Sequence, residues 1–183
     1  MLKTEPLVTT YLEMRTRSEL WNVDCGSRIE HFEVRELTKP NWQFNREMYF
    51  RVGEKWQWID KRPWTDEQWK EYAHDINLRT FAGHYEDEVA GYYELRRYAA
   101  RDHKSAVTGQ NQDSIEIAYF GLLPEFIGRG LGGVLLTSAI DNGWEWTPAR
   151  IWVHTCNRDH PSALNNYKAR GFCVYKVERE IAS

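Results

Sequence analysis

Apolar and polar positions along the chain change period several times, and each change marks an element. From Arg28 the segment RIEHFEVREL sets Ile29, His31 and Glu33 against Glu30, Phe32 and Val34, the period-two pattern of a half-buried strand. Pro40 stops it and can start a helix, NWQFNREMYFRVG, in which Phe44, Met48 and Tyr49 recur at helical spacing before Gly53. Thr65 stands three residues before Gln68, a capping-box spacing, with Asp66 and Glu67 suited to the positive end of a helix dipole. A helix is therefore expected from Asp66 to about Asp75. Residues 78–98 read as a hairpin turning at Glu86-Asp87, rich in aromatic strand formers on its return.

Residues 99–113 are polar and loop-like. Next, IEIAYFGLL is a nearly unbroken apolar run with one carboxylate in it, the signature of a strand buried on both faces and central in its sheet. In LGGVLLTSAIDNGWEW, Leu131, Leu135 and Ala139 repeat at i+4, as do Leu136, Ile140 and Trp144, which predicts a buried helix. RIWVHTC is a further strand, PSALNNYKAR a short helix begun by Pro161 and stopped by Gly171, and FCVYKVE a final strand. Residues 1–27 read as an N-terminal arm with one short strand near TTYLEM and a turn at Cys25-Gly26-Ser27. This order predicts an α/β (α+β) sandwich with a central mixed sheet flanked by helices, an arm over 1–27 and one domain over 28–183.

Composition narrows the partners. A chain of 183 residues suits one domain, and 42% hydrophobic with 28% charged residues describes a folded protein rather than a disordered one. Net charge is -3, so no basic field attracts nucleic acid or an anionic membrane, and neither partner is expected. Cys25, Cys156 and Cys173 are irregularly spaced, build no disulfide framework and fit a reducing compartment. The N-terminal segment lacks an apolar h-region and no run approaches a membrane span, so a cytoplasmic location is expected. Association into a homodimer is left open.

PEFIGRGLGG, residues 124–133, lies between the central strand and the buried helix. A loop there presents unpaired N–H groups at the helix's positive end, and glycines let an anion reach them without meeting a Cβ. A tight turn with close helix packing is the plain alternative. Gly128, Gly130 and Gly133 spell the dinucleotide pattern G-x-G-x-x-G, but the stretch comes too late in the chain for a doubly wound nucleotide domain to follow. No G-x-x-x-x-G-K-[ST] is present.

Taken together, IEIAYFGLLPEFIGRGLGG, WVHTC and ALNNYKARGF over residues 115–172 resemble the GNAT superfamily of acyl-CoA N-acyltransferases. Ile127 to Gly132 fill that family's Q/R-x-x-G-x-G/A loop as I-G-R-G-L-G, and Ala163, Tyr167, Gly171 and Phe172 fill its A-x-x-x-Y-x-x-x-G-F pattern. Two positions depart: Ile127 replaces a Gln or Arg, and His160 stands where many members carry a cofactor-contacting Asn. The resemblance implies acetyl-CoA as co-substrate, its pantetheine arm along Phe120, Gly121 and Leu122. It also implies a pyrophosphate on the amides of Ile127, Gly128, Arg129, Gly130, Leu131, Gly132 and Gly133, with Arg129 adding charge.

Acyl transfer to an amine needs a base, a stabilised oxyanion and a proton for the departing thiolate. Glu116 interrupts the apolar strand at the spacing from Gly130 where the histone-acetylating branch of the family carries its base; a solvated strand face is the bland alternative. The resemblance makes Tyr167 the general acid, against a packed helix tyrosine, and His154 an alternative base through water or a structural histidine. H-x-C-x-x-D-H, covering His154, Cys156, Asp159 and His160, matches no standard zinc arrangement, so no metal is expected. Cys156 as a nucleophile is the less favoured route. Trp56, Trp58, Trp64 and Trp69 fall where the family builds its acceptor cleft; packing accounts for most, with Trp56 and Trp58 assigned to substrate.

The expected function is transfer of an acetyl group from acetyl-CoA to a primary amine, of a small molecule, by direct attack in a ternary complex. Longer acyl groups, a hydroxyl or peptide acceptor, a non-catalytic acyl-CoA-binding module and, less favoured, an NAD-dependent oxidoreductase remain as alternatives.

Overall fold

The computed structural model describes residues 5–21, 29–56, 58–100 and 112–180. Its strands are β1 (Leu7–Met14), β2 (Phe32–Glu36), β3 (Leu78–Tyr85), β4 (Glu88–Tyr98), β5 (Ser114–Leu122), β6 (Arg150–Cys156) and β7 (Cys173–Glu180). Its α-helices are α1 (Trp42–Val52), α2 (Asp66–Ala73), α3 (Leu131–Trp144) and α4 (Ala163–Lys168). The strands form one mixed sheet in the order β2-β3-β4-β5-β6-β1-β7, with β5 at its centre as the apolar run predicts. Helices α1 and α2 pack together on one side of β4 and β5, while α3 lies on the other with α4 beside it.

Local chemistry explains most boundaries. Glu86 and Asp87 both take positive φ, the backbone a tight two-residue hairpin turn requires, so β3 returns directly as β4. Thr65 and Gln68 close the expected capping box, each side chain accepting the other's backbone N–H. Asn41, rather than Pro40, caps α1: its side-chain oxygen accepts from the Phe44 N–H at 3.1 Å. The strand expected from Arg28 begins only at Phe32, because His31 at φ 67° cannot continue an extended ladder. Helix α4 likewise starts at Ala163, leaving Pro161 in the preceding turn. Most of the polar loop expected over 99–113, and the turn at Cys25-Gly26-Ser27, lie outside the described residues.

Residues 7–14, expected as an arm with one short strand, form an interior strand instead. β1 runs antiparallel to both β6 and β7, pairing Tyr11 with His154 on one side and Lys176 on the other. Both partners lie at the far end of the chain, so no local pattern announces them. Leu12 and Met14 enter the core, and Glu13 is buried with its carboxylate 2.9 Å from the buried Arg150 guanidinium. Removing one member of a buried pair strands charge in a dry interior. Glu13→Ala should therefore lower unfolding free energy by about 3 kcal/mol in a denaturant titration, and a loss under about 1 kcal/mol would make the pair incidental.

The main core fills the space between the sheet and α3: Tyr93, Leu95, Ile115 and Ile117 meet Leu135, Leu136, Ala139 and Ile140. On the other face Tyr49, Trp69 and Tyr72 form an aromatic cluster with Trp58, Trp64 and Tyr119 packed against it. Between these two cores the sheet opens.

Candidate active site

The opening follows from strand pairing. β5 and β6 run parallel, but only Ser114, Glu116 and the residue between them pair, with Arg150, Ile151 and Trp152. Beyond Glu116, β5 stays bonded to β4 alone, while β6 follows β1. The two central strands therefore fork, and the edge of β5 from Ile117 to Leu122 faces a cavity of about 920 Å³. A register shift between β4 and β5 leaves Ala118 without a cross-strand partner. That extra residue breaks the two-residue alternation, so Glu116 and Tyr119 both oppose β4 residues, Arg96 and Glu94, that share one face.

The glycine stretch closes one end of the fork. Gly130, at φ 79°, is the N-cap of α3, and no side chain caps that helix end. Gly128 also lies in the left-handed region, at φ 87°. Space does not demand glycine at either position: a Cβ on Gly128 would meet nothing within 4 Å, and one on Gly130 only Ile29 at 3.8 Å. The backbone conformation demands it. Gly133 is different, since a Cβ there would collide with the Arg170 guanidinium, which donates to Thr137 Oγ1. The tight turn and close helix packing read from the sequence thus both hold, the first at 128 and 130 and the second at 133.

Of the residues expected to hold a cofactor, Phe120, Gly121, Leu122, Ile127, Gly128, Gly130, Gly132, Gly133 and His160 line the cavity. The Leu131 side chain is fully buried in the core beneath the loop. The Arg129 guanidinium lies over Phe126 and Tyr85, at 5.0 and 5.8 Å from their ring centres, rather than in the lining.

Four titratable groups, Glu116, Tyr98, His154 and Tyr167, converge on the fork. Glu116 is buried; its Oε2 accepts from the Tyr98 hydroxyl at 2.6 Å, and its Oε1 is 3.4 Å from His154 Nδ1. His154, exposed on β6, lines the same cavity. Burial, reinforced by the Glu116 carboxylate, holds the Tyr98 phenol well above its ordinary value, so it stays a donor. Tyr167 projects from α4 with its ring against Phe120 and Phe172. Burial, with Asp159 adding to it, pushes its phenol up as well, so its hydroxyl keeps its proton at neutral pH.

The remaining candidates separate cleanly. Trp56 meets His160 edge-on at 4.9 Å, and both it and Trp58 line the cavity. Trp58 also packs on Tyr49 and Tyr119. Trp69 is core, and Trp64 covers the Lys61 ammonium. Asp159 Oδ2 accepts from Thr155 Oγ1 and the Cys156 N–H, both at 2.8 Å, and so closes the turn after β6. Burial pushes the Cys156 thiol up, away from a reactive thiolate. Among the described residues no three His, Cys, Asp or Glu side chains gather to hold a metal ion.

Sequence reasoning missed Tyr98, Arg96, Asp60, Lys61 and Tyr119, all of which line the same cavity. Tyr98 and Arg96 carried a signal: in YYELRRY, Tyr92, Glu94, Arg96 and Tyr98 share a face at period two, with a charged pair inside an aromatic strand. Asp60 and Lys61 lie in an irregular connection and carried none.

Comparison with known proteins agrees with this geometry. Residues 32–172 match the family model described as Acetyltransferase (GNAT) family. No curated protein sequence matches the chain. Among solved structures, a GCN5-related N-acetyltransferase from Sphaerobacter thermophilus is similar at 12% identity and TM-score 0.69, over 98% of this chain and 53% of that one. This chain therefore spans about half of that protein. Aminoglycoside N-acetyltransferase AAC(6')-Iy in complex with CoA is similar at 15% identity and TM-score 0.56, over 86% of this chain and 96% of that one. An aminoglycoside acetyltransferase, meta-AAC0020, from an uncultured soil metagenomic sample gives 13% identity and TM-score 0.58, over 76% and 87%. At these identities the likeness is one of fold.

Proposed function

The chain belongs to the GNAT family of acetyltransferases and is an acyltransferase, and on that premise we propose that it moves an acetyl group from acetyl-CoA to a primary amine of a small molecule, by direct attack in a ternary complex. One observation carries the reading: the unpaired edge of β5, the uncapped glycine end of α3, a buried carboxylate and a protonated phenol line one cavity. The residues present fit the co-substrate. An extended amide-bearing arm can bond the free backbone groups of Ile117 to Leu122 as an added strand would. A pyrophosphate suits the open N–H groups and positive dipole end of α3, where Gly128 and Gly130 leave room.

Glu116 takes the proton from the acceptor amine, directly or through His154 and water, and the Tyr98 hydroxyl holds the carboxylate in place. Tyr167, on the opposite side of the fork beside Phe120, donates a proton to the departing sulfur. The aromatic wall formed by Trp56, Trp58 and Tyr119 bounds the acceptor side. An acceptor of small size is in keeping with the small-molecule acceptors named for the aminoglycoside enzymes of the same fold.

Acetyl-CoA about a hundredfold above its Kd should raise native-state stability by about 2.7 kcal/mol, a thermal shift of roughly 5–10 °C for a domain of this size. Gly130→Val should abolish that shift, because a β-branched residue is strained at φ 79° and would place its branch at the mouth of the loop. A folded Gly130→Val protein that keeps the full shift would remove the loop from the binding site.

A further inference from the structure

Asp60 and Lys61 lie in the connection between α1 and α2, at the end of the cavity walled by aromatic rings. Lys61 is only 8% exposed, yet it lines that cavity. Its Nζ lies 4.2 Å from the ring centre of Trp64, 4.6 Å from Tyr72 and 5.0 Å from Tyr119. Three rings at such distances make a box that would ordinarily receive a ligand cation. Here the chain's own ammonium fills it.

That ammonium is under-bonded. It carries three N–H donors, and its near oxygen, Asp60 Oδ2, is 3.5 Å away, beyond a good N–H···O distance. The same oxygen already accepts the Tyr119 hydroxyl at 2.6 Å, and the other Asp60 oxygen accepts the Tyr49 hydroxyl at 2.8 Å. Glu94, on the buried side, is occupied by Asn45 and the Tyr72 hydroxyl, and burial favours its neutral form. Arg96 adds a second cation over the Tyr72 ring while bonded to Asp75 at 2.9 Å. Rings cover Lys61 on several sides and protein oxygens leave donors unused, so the cavity is where an acceptor oxygen can come from.

We propose that Lys61 is an anion-recognition residue at the acceptor end of the cavity, and that the amine acceptor therefore carries a carboxylate on an apolar frame. The carboxylate bonds Lys61 Nζ, with Arg96 adding to the positive potential, while the amine lies toward Glu116. Tyr72, Arg96 and Tyr98 span the distance between these two ends, as the contacts of Lys61 with Tyr72, Arg96 with both tyrosines, and Tyr98 with Glu116 show. Lys61 and Arg96 disfavour a second cation at this end of the cavity, while the carboxylates Asp60 and Glu116 also line it, so the likeness in fold to aminoglycoside enzymes does not by itself carry their acceptor class. Burial, with the Arg96 charge adding to it, pulls Lys61 below its ordinary lysine value against the opposing pull of Asp60 and Glu94, and a bound carboxylate would favour the charged form. The amine end of the proposal rests on the acetyl-transfer reading; the anion end rests on the Lys61 geometry alone.

Three probes share a frame and differ in one group: para-aminomethylbenzoate, its carboxamide, and benzylamine. Each is titrated calorimetrically into the CoA-loaded protein and assayed for acetyl transfer. The carboxylate should bind about tenfold more tightly than either probe that lacks it, the worth of one charge-assisted hydrogen bond in a partly dry site. In Lys61→Met the acid-to-amine ratio should collapse to about one, while Lys61→Arg keeps part of it. Equal binding of the three probes by the wild-type protein overturns the proposal without any variant. So does an equal loss for all three in a folded Lys61→Met, which would mark Lys61 as structural. Turnover of benzylamine and the acid at equal rates and affinities leaves acetyl transfer standing and this inference fallen. Selective binding of the acid with no turnover of any probe supports the anion site and counts against the transfer reading.

Discussion

Glu116→Gln lowers kcat/KM near neutral pH by about 10²-fold or more, the contribution of a positioned base. The amide keeps the shape of the carboxylate and can still meet the Tyr98 hydroxyl and His154, so the loss isolates basicity rather than packing. In the wild-type protein kcat/KM rises with pH through one ionisation and levels off, because the base acts only when deprotonated. The variant loses most near neutrality and recovers in part at high pH, where free amine is abundant without help. Its affinity for acetyl-CoA is unchanged in a thermal-shift titration. A variant with wild-type rates and the wild-type pH profile would move the base to His154, 3.4 Å away.

Tyr167→Phe removes one oxygen from a ring already held by Phe120 and Phe172, so the fold and the co-substrate affinity should survive. What is lost is the proton donor to the leaving sulfur, and kcat should fall by about 10²–10⁴-fold. The wild-type hydroxyl keeps its proton across the working range because burial raises it, so no alkaline loss of rate from this group is expected near neutral pH. A fall smaller than about threefold would reduce Tyr167 to a packing residue.

How far these groups could be read from the sequence depended on how local their causes are. The glycine loop, the capping box at Thr65 and the hairpin turn at Glu86-Asp87 are set by neighbours in the chain, and the structure keeps each of them. β1 is set by partners at residues 151–156 and 173–180, so its weak alternation gave no hint of an interior place. Glu116 was visible as a carboxylate in an apolar strand, but its meeting with Tyr98 and His154 depends on the register of β4 and the fork between β5 and β6. Lys61 was invisible for a further reason: rings from α2, β5 and the α1–α2 connection enclose it, and no single segment carries that pattern. Within the tryptophan cluster Trp64 and Trp69 belong to packing, around that lysine and in the core, as the sequence suggested for most of its members.

The central claim is that the forked cavity brings acetyl-CoA and an amine together for direct transfer. The most direct measurement incubates the protein with acetyl-CoA and a panel of amino acids, polyamines, arylamines, aminoglycosides and peptides. It reads released thiol and, by mass spectrometry, the acetylated acceptor. The account predicts thiol release that depends on one class of small amine and is matched mole for mole by its acetylated product, with no acetyl group left on the protein. Thiol release no faster than buffer for every amine, or release without an acetylated acceptor, would contradict it.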